Sequence, residues 1–305
     1  MLISTNYKLC VYIVVLLSCS ILPEVGVPIP RTYFADPSNT FNVYFVKLGW
    51  GWTVALVAAY IVLTASVYCA GEPSRVFHHF CRTFADTTVW ILCSFVIYLL
   101  KPPIPGTSTP TSELHSMTTE SSESRKWFQL DISGHSFLLI FCNLCIGEEL
   151  SSLRNWASIE DIVWRDNGQA DDEDPAIGGG SGQPSPSRSR QSQANNNNEL
   201  TDEQRRIVMM NYQRFTPGIY MLFGVITVLA IVWDFMIICT ALYFHTMLQK
   251  AVGALMAILC WCLTYKLCYP RGIIAPSPGV GVVRYMSPRS SKGRSRRATL
   301  ISHTA

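Results

Sequence analysis

Residues 217–244 read PGIYMLFGVITVLAIVWDFMIICTALYF, an apolar run interrupted by one acid, Asp234. A helix of roughly 17–25 mostly apolar residues crosses the hydrocarbon core of a bilayer. Only 15% of the 305 residues are charged and the mean hydropathy is +0.23, whereas soluble chains carry about a quarter charged residues. Five further blocks are also apolar, although the first is short: 8–22, 44–68, 83–100, 133–150 and 251–268. The sequence therefore predicts an all-α integral membrane protein with six transmembrane helices.

The first apolar block has a second interpretation. Lys8 precedes an apolar core that ends near Ser18-Cys19-Ser20, an arrangement that is also typical of a cleaved signal peptide. Cleavage would leave the later blocks facing the same way, so the topology below holds for either interpretation.

Charge sets the topology. Lysine and arginine concentrate in residues 70–83, in 151–214 and after Pro270, while the segments between them hold fewer. The positive-inside rule then places both termini in the cytosol. The predicted organisation is 1–150 with four spans, 151–214 as a disordered cytosolic loop, 215–269 with two spans, and 270–305 as a basic cytosolic tail. That tail fits anionic lipid and a solvated segment equally well.

Two histidines meet at one membrane face under this topology. His135 begins the fourth span in Asp131-Ile132-Ser133-Gly134-His135, and His245 follows the fifth. A helix that starts near Ser133 presents unpaired N–H groups and a positive dipole end, which attract phosphate. Gly134 permits close backbone approach, and an imidazole can donate a proton or attack phosphorus. The alternative interpretation is a capped helix with an interfacial histidine.

Other polar residues lie deeper in the spans. Asp234 is about 16 Å from His245 along the helix and Glu149 is about 21 Å from His135, so neither can pair with its histidine. We expect Asp131, Asn143 and Asp234 to be structural or to contact lipid, and Glu148 and Glu149 to end the span or meet Arg154. Cys142 and Cys145 lack a second cysteine pair for zinc, so we expect no metal. A small transporter would have only Asp234 and Glu149 as intramembrane acids, without a visible repeat.

The histidine segments resemble a known family. Residues 128–139, FQLDISGHSFLL, with Cys142-Asn143-Leu144 and Glu148-Glu149, are similar to the fat storage-inducing transmembrane (FIT) proteins, and the likeness continues through Trp233-Asp234-Phe235-Met236 and Tyr243-Phe244-His245-Thr246. FIT proteins are distantly similar to lipid phosphate phosphatases, whose Ser-Gly-His loop and later histidine handle phosphate. This chain departs from the phosphatase pattern at Gln249, where that pattern has aspartate, and at Ile238-Cys239, where it has Ser-Arg. No arginine clamp is evident.

The resemblance implies a multi-pass protein of the endoplasmic reticulum membrane that supports lipid droplet formation and lipid homeostasis. Its implied activity is hydrolysis of fatty acyl-CoA to acyl-4′-phosphopantetheine and adenosine 3′,5′-bisphosphate, with no cofactor. Carried over to this chain, His245 is the nucleophile or base and His135 is the acid, both facing the lumen. Ser133 and Gly134 would contact phosphate, and Lys250 is a further candidate because it lies on the same side.

A non-enzymatic function is the alternative. The apolar helix faces, with Asn143 and Asp234 as polar groups, also fit a protein that binds triacylglycerol or diacylglycerol and partitions it into droplets. The expected partners are fatty acyl-CoA, neutral lipid and the endoplasmic reticulum membrane; we expect no nucleic-acid partner.

Overall fold

The architecture is helical throughout the part of the chain that the structure describes, with no strand. The computed structural model describes residues 5–282 apart from 29, 31, 37, 101–132 and 161–200. Six helices are long and apolar enough to cross a membrane, which confirms the predicted fold class. They are α1 (Thr5–Glu24), α2 (Gly49–Tyr68), α3 (Pro73–Leu100), α4 (Gly134–Leu150), α5 (Asp202–Tyr243) and α6 (Met247–Trp261). A π-helical turn, Phe41–Val46, precedes α2, and another, Cys262–Cys268, continues α6.

Two helices begin well before their apolar blocks. α3 begins at Pro73, and α5 begins at Asp202, so residues 202–214, predicted to be disordered, form a helix instead. A capping box between Thr201 and Gln204 starts α5, which satisfies two otherwise unpaired N–H groups. Residues 151–155, also predicted to be disordered, form a 3-10 turn. Residues 161–200 of that predicted loop, and the predicted tail from 283 onward, lie outside the described residues.

Packing explains the early start of α5. Val208 is fully buried, and the Asn211 amide donates to the Ser66 carbonyl at 3.1 Å. Tyr212 stacks on Trp156 with ring centroids 5.7 Å apart. Residues 202–214 therefore have an amphipathic face that binds the bundle, which a hydropathy window cannot detect.

Helix α4 is the central helix of the bundle and packs against α1, α2, α5 and α6. Its aromatic residues Phe137 and Phe141 are buried, and Trp50 of α2 stacks on Phe141 at 5.5 Å. Helix α3 lies at the edge against α2 and exposes large apolar side chains such as Ile91 and Phe95. Apolar exposure of this kind suits contact with lipid.

The bundle has two chemically different ends. At one end α4 and α6 begin and α5 finishes; we call it the histidine end. The segment before α2 covers part of it, since Thr32 donates to the Tyr243 hydroxyl at 3.1 Å and Phe34 meets Phe235 edge-on at 4.9 Å. In the same segment, hydrogen bonds from the Ser38 hydroxyl and N–H lower the pKa of the Asp36 carboxyl, so this acid is ionised at neutral pH.

The opposite end contains a buried ion-pair network. Arg82 and Glu149 form a two-pronged pair, Nε to Oε1 at 2.8 Å and Nη2 to Oε2 at 2.9 Å. The hydroxyls of Tyr265 and Tyr269 donate to the two carboxylate oxygens of Asp86 at 2.8 and 2.7 Å. The prediction that Glu149 meets Arg154 is therefore wrong, because its partner is Arg82 of α3, inside the bundle. The alternative, that Glu148 and Glu149 lie at the end of the span, agrees with the end of α4 at Leu150. Glu148 instead accepts from Lys266 at 2.7 Å.

Candidate functional site

The two histidines meet at the histidine end although 110 positions separate them in the sequence. Their ring centroids are 6.4 Å apart, with the planes inclined by 42°. The Phe244 ring lies 6.5 Å from His135 at a smaller angle of 25°. His135 is partly buried and His245 is exposed, so the pair lies between the bundle and the space outside it.

The start of α4 places His135. Ser133 has extended backbone and caps the helix, because its hydroxyl accepts from the Ser136 N–H at 3.3 Å and from the Ser136 hydroxyl at 3.1 Å. Ser133 is fully buried, so its hydroxyl is engaged in the cap. A methyl group added at Gly134 would meet nothing within 4 Å, which leaves open space beside the first turn. Anions bind at such helix starts.

The turn between α5 and α6 places His245. His245 adopts a left-handed conformation with φ of 61°, which costs a non-glycine residue roughly 1–2 kcal/mol. Thr246 then caps α6 in a capping box with Gln249. Gln249 occupies the position of the phosphatase aspartate, and its side chain accepts from the Thr246 N–H at 3.0 Å. The departure from the phosphatase pattern thus has a structural role in this turn.

A close contact between α4 and α6 joins the two halves of the site. The Ser133 N–H donates to the Gln249 carbonyl at 3.2 Å. A Cβ at Gly253 would lie 2.6 Å from the Ser133 carbonyl oxygen and 3.3 Å from the Phe137 nitrogen. Only glycine permits this approach. Sequence reasoning missed Gly253 because a single glycine in an apolar run has no spacing signal that identifies its neighbour.

Lys250, predicted to bind phosphate, lies in the first turn of α6 and is only 2% exposed. Its ammonium donates to the Ala241 carbonyl at 2.6 Å, in the last turn of α5, where carbonyls carry partial negative charge. This contact ties α5 to α6 beneath His245. Phosphate binding by Lys250 stays a prediction.

Asn143 and Asp234 form a separate cluster deeper in the bundle. Asp234 Oδ1 accepts from the Tyr12 hydroxyl at 2.7 Å and from the Asn143 amide at 2.9 Å. Asn143 is nine positions after Gly134, about 13 Å along α4, so this cluster is not part of the histidine site. The sequence identified both polar residues but not Tyr12, which a tyrosine in an apolar block does not reveal. Asp131, the remaining candidate, lies outside the described residues.

The site has acid–base groups and a helix start. Every arginine in the described part of the chain lies on a segment near the opposite end of the bundle. The described residues also contain no cluster of three or more His, Cys, Asp or Glu side chains suited to a metal ion. Groups in the described part of the site that favour an anion include the positive end of the α4 dipole, the imidazole N–H groups and Lys250. Such a set can bind and protonate an oxyanion.

Six apolar helices define a multi-pass membrane protein, and two histidines meet at one end of its helix bundle. One known protein family matches most of the chain. The model of the fat storage-inducing transmembrane protein family matches residues 30–108 and 105–265. The chain belongs to this family.

Relatives in several animals match most of the chain. The chain is 31% identical over 284 residues to acyl-coenzyme A diphosphatase FITM2 of Drosophila melanogaster. The aligned residues make up 92% of this chain and 63% of the fly protein. The namesakes from Xenopus tropicalis and Homo sapiens are 29% and 26% identical, each over 87% of this chain and 84% and 82% of their own lengths. The chain thus spans less than two thirds of the fly protein. No solved structure matches it.

Proposed function

We propose that this chain is a fatty acyl-CoA diphosphatase of the endoplasmic reticulum membrane that supports lipid droplet formation. The observation that carries the proposal is the approach of His135 and His245 to 6.4 Å between ring centroids at the start of α4. We infer that one phosphoryl group binds beside both rings, with a nitrogen of each ring within hydrogen-bond reach, about 3 Å. The relatives are named acyl-coenzyme A diphosphatases, which supports acyl-CoA as the substrate.

The proposed reaction divides the chemistry between the two rings. His245 attacks one phosphorus of the phosphoanhydride, or removes a proton from the water that does so. The bond between that phosphorus and the bridging oxygen breaks, and His135 gives its proton to the bridging oxygen, which leaves on the other phosphate. Where His245 is the nucleophile, water then breaks the bond between phosphorus and the His245 nitrogen and restores the imidazole. Either route consumes one water and gives acyl-4′-phosphopantetheine and adenosine 3′,5′-bisphosphate. The N–H groups at Gly134 and the ammonium of Lys250 offset the charge that develops.

Product analysis tests the activity. Purified full-length protein in detergent is incubated with palmitoyl-CoA, and adenosine 3′,5′-bisphosphate is measured. His135→Ala and His245→Ala should each reduce turnover at least about a hundredfold, the usual size of a lost acid–base group. His78→Ala is the matched control, because His78 is exposed on α3 at the opposite end. Unchanged turnover in both site variants would refute the proposed roles.

A groove between α1 and α5 favours a second candidate, binding of neutral lipid. The groove encloses about 400 Å³ and is lined mainly by apolar residues such as Val11, Val15 and Ile237, with Asp234 and Lys8 as charged groups. The Tyr12 hydroxyl and the Asn143 amide already donate to Asp234. The cluster therefore offers acceptors, which suits the hydroxyl of diacylglycerol better than the esters of triacylglycerol, which only accept.

Diacylglycerol binding by histidine variants and by a groove variant tests the second candidate. Protein with both His135→Ala and His245→Ala should bind radiolabelled diacylglycerol as the wild type does, whereas Asp234→Leu should lose that binding. Ile231→Leu, in the same groove, is the control. If the double histidine variant loses binding as well, lipid recognition belongs to the histidine site and the groove is not a separate one.

A further inference from the structure

Two helical stripes face each other between α1 and α6. Ile13, Leu16, Leu17 and Ser20 repeat at intervals of three and four on α1, and residues from Met247 to Ile258 do the same on α6. These intervals place each set on one helix face. Alanines at 251 and 254 stand where larger side chains would fill the gap, and a groove of about 170 Å³ remains.

One end of the groove lies at the histidine end of the bundle, near the start of α6. Met247 and Lys250, which line it, are two and five residues after His245. It runs along α6 for about 16 Å, from Met247 to Ile258. Its polar residues, Ser20 and Lys250, lie toward the histidine end, while the deeper part is lined by aliphatic side chains.

Ser20 supplies an independent indication of a ligand. The residue is only 1% exposed, and among the described residues its hydroxyl has no hydrogen-bond partner. A buried hydroxyl without a partner is costly, because it has lost water and gained nothing in return. A carbonyl oxygen placed in the groove would accept its proton.

We propose that this groove holds the acyl end of the substrate, with the Ser20 hydroxyl donating to the thioester carbonyl and the hydrocarbon chain lying between α1 and α6. The inference rests on the proposed acyl-CoA hydrolysis. The polar part of the groove precedes its aliphatic part, as the thioester carbonyl precedes the hydrocarbon chain in the substrate. The pantetheine arm, which joins the thioester to the phosphates, would fold back outside the groove at the histidine end. Ala251 and Ala254 are specificity-determining residues because their small side chains leave the groove open.

Two substrates that share the phosphoanhydride distinguish binding of the acyl chain in the groove from hydrolysis at the histidines. Palmitoyl-CoA has the chain and unacylated CoA lacks it. Ala254→Phe should raise KM for palmitoyl-CoA at least about fivefold, with kcat/KM for CoA unchanged within about twofold. Ala251→Phe is a second variant at the exposed rim of the groove, where the larger side chain is easier to accommodate. Leu259→Phe, on the outer face of α6 and 59% exposed, is the matched control and should change neither substrate.

Ser20 has its own signature. Ser20→Ala should raise KM for palmitoyl-CoA about three- to tenfold, the effect of one lost hydrogen bond, and leave CoA unaffected. The same substitution removes a buried hydroxyl without a partner, so the free protein should melt at a higher temperature. Ser20→Thr should restore the KM.

The outcomes are distinguishable. If the wild type releases nucleotide but the Ala251 and Ala254 variants change palmitoyl-CoA and CoA equally, or change neither, the groove inference is wrong and the hydrolase proposal stands. If the wild type hydrolyses neither substrate, the hydrolase proposal fails, and photolabelling with a palmitoyl-CoA that carries a terminal diazirine decides the groove. Labels on the facing stripes of α1 and α6, lost in Ala254→Phe, support it; labels confined to α3 or to bilayer lipid overturn it.

Discussion

The left-handed backbone of His245 links local strain to the candidate chemistry. His245 is one of two non-glycine residues with positive φ among the described residues, the other being Ala70. A side chain with a Cβ is disfavoured in this region, whereas glycine enters it freely. Strain of this kind persists where the surrounding structure fixes it, often at functional sites. Thr246 and Gln249 fix it here through the α6 capping box.

We therefore expect stability and activity to separate at position 245. His245→Gly should be more stable than His245→Ala by about 1 kcal/mol, because only glycine removes the left-handed penalty. Both variants should lose nucleotide release. Thermal unfolding in one detergent, beside product analysis, checks this. Equal melting temperatures for the two variants would show that the backbone at 245 relaxes once the imidazole is gone.

Helices α4 and α6 act as one unit because Gly253 lets them touch. The relative position of the two histidines depends on this contact. Ser133 and His135 lie at the start of α4, while the capped turn after His245 starts α6. Small residues at helix contacts permit such approach within membranes. A displacement of one helix would change the distance between the two rings.

Gly253→Ala tests the coupling between these elements. The added methyl group would lie 2.6 Å from the Ser133 carbonyl oxygen, and overpacking of this kind costs about 1–3 kcal/mol. We expect a lower melting temperature and a larger loss in kcat than in substrate binding. Gly224→Ala in α5 is the control, since a methyl group there meets nothing within 4 Å. A fully active Gly253→Ala protein would contradict the view that this contact sets the spacing of the histidines.

At the scale of the whole molecule, the opposite end stabilises the bundle while the histidine end carries the site. Arg82 and Glu149 have side chains that are 3% and 2% exposed, and Arg82 also donates to the Pro276 carbonyl at 2.8 Å. The segment after α6 thereby folds back over the bundle, where the Val282 N–H meets the Tyr68 carbonyl at 2.8 Å. Removing one member of such a buried pair leaves the other charge buried without a partner, which destabilises the protein.

A double-mutant cycle measures this pair. Arg82→Met and Glu149→Leu should each destabilise the protein by about 3–5 kcal/mol, and the double variant should lose clearly less than either single variant. Activity per folded molecule should be retained, because Glu149 is about 21 Å along α4 from His135. Additive losses in the cycle would mean that the two side chains do not stabilise each other.

Hydropathy predicts the six helices of this fold because each must be apolar over a bilayer thickness. Hydropathy places the helix ends poorly. Residues 202–214 are polar overall, so a hydropathy window excludes them from the helix, although one face of the segment packs on the bundle. Hydropathy also mistakes Arg82 for a loop charge, although His79, Arg82 and Asp86 recur at intervals of three and four and so share one helix face. In the site, His135, His245 and the Ser133 cap are evident from sequence, whereas Gly253 and Ser20 depend on which helix lies opposite.

The remaining whole-molecule prediction is the sidedness of the histidine end. The positive-inside rule places 101–132 on the histidine side in the lumen and 161–200 in the cytosol. The chain has no Asn-x-Ser/Thr sequon of its own, so engineered sequons give a clean readout. A sequon inserted within 101–132 should be glycosylated in microsomes and one within 161–200 should not, as judged by a mobility shift that endoglycosidase H reverses. The reverse pattern would place the histidines in the cytosol, beside a different pool of acyl-CoA.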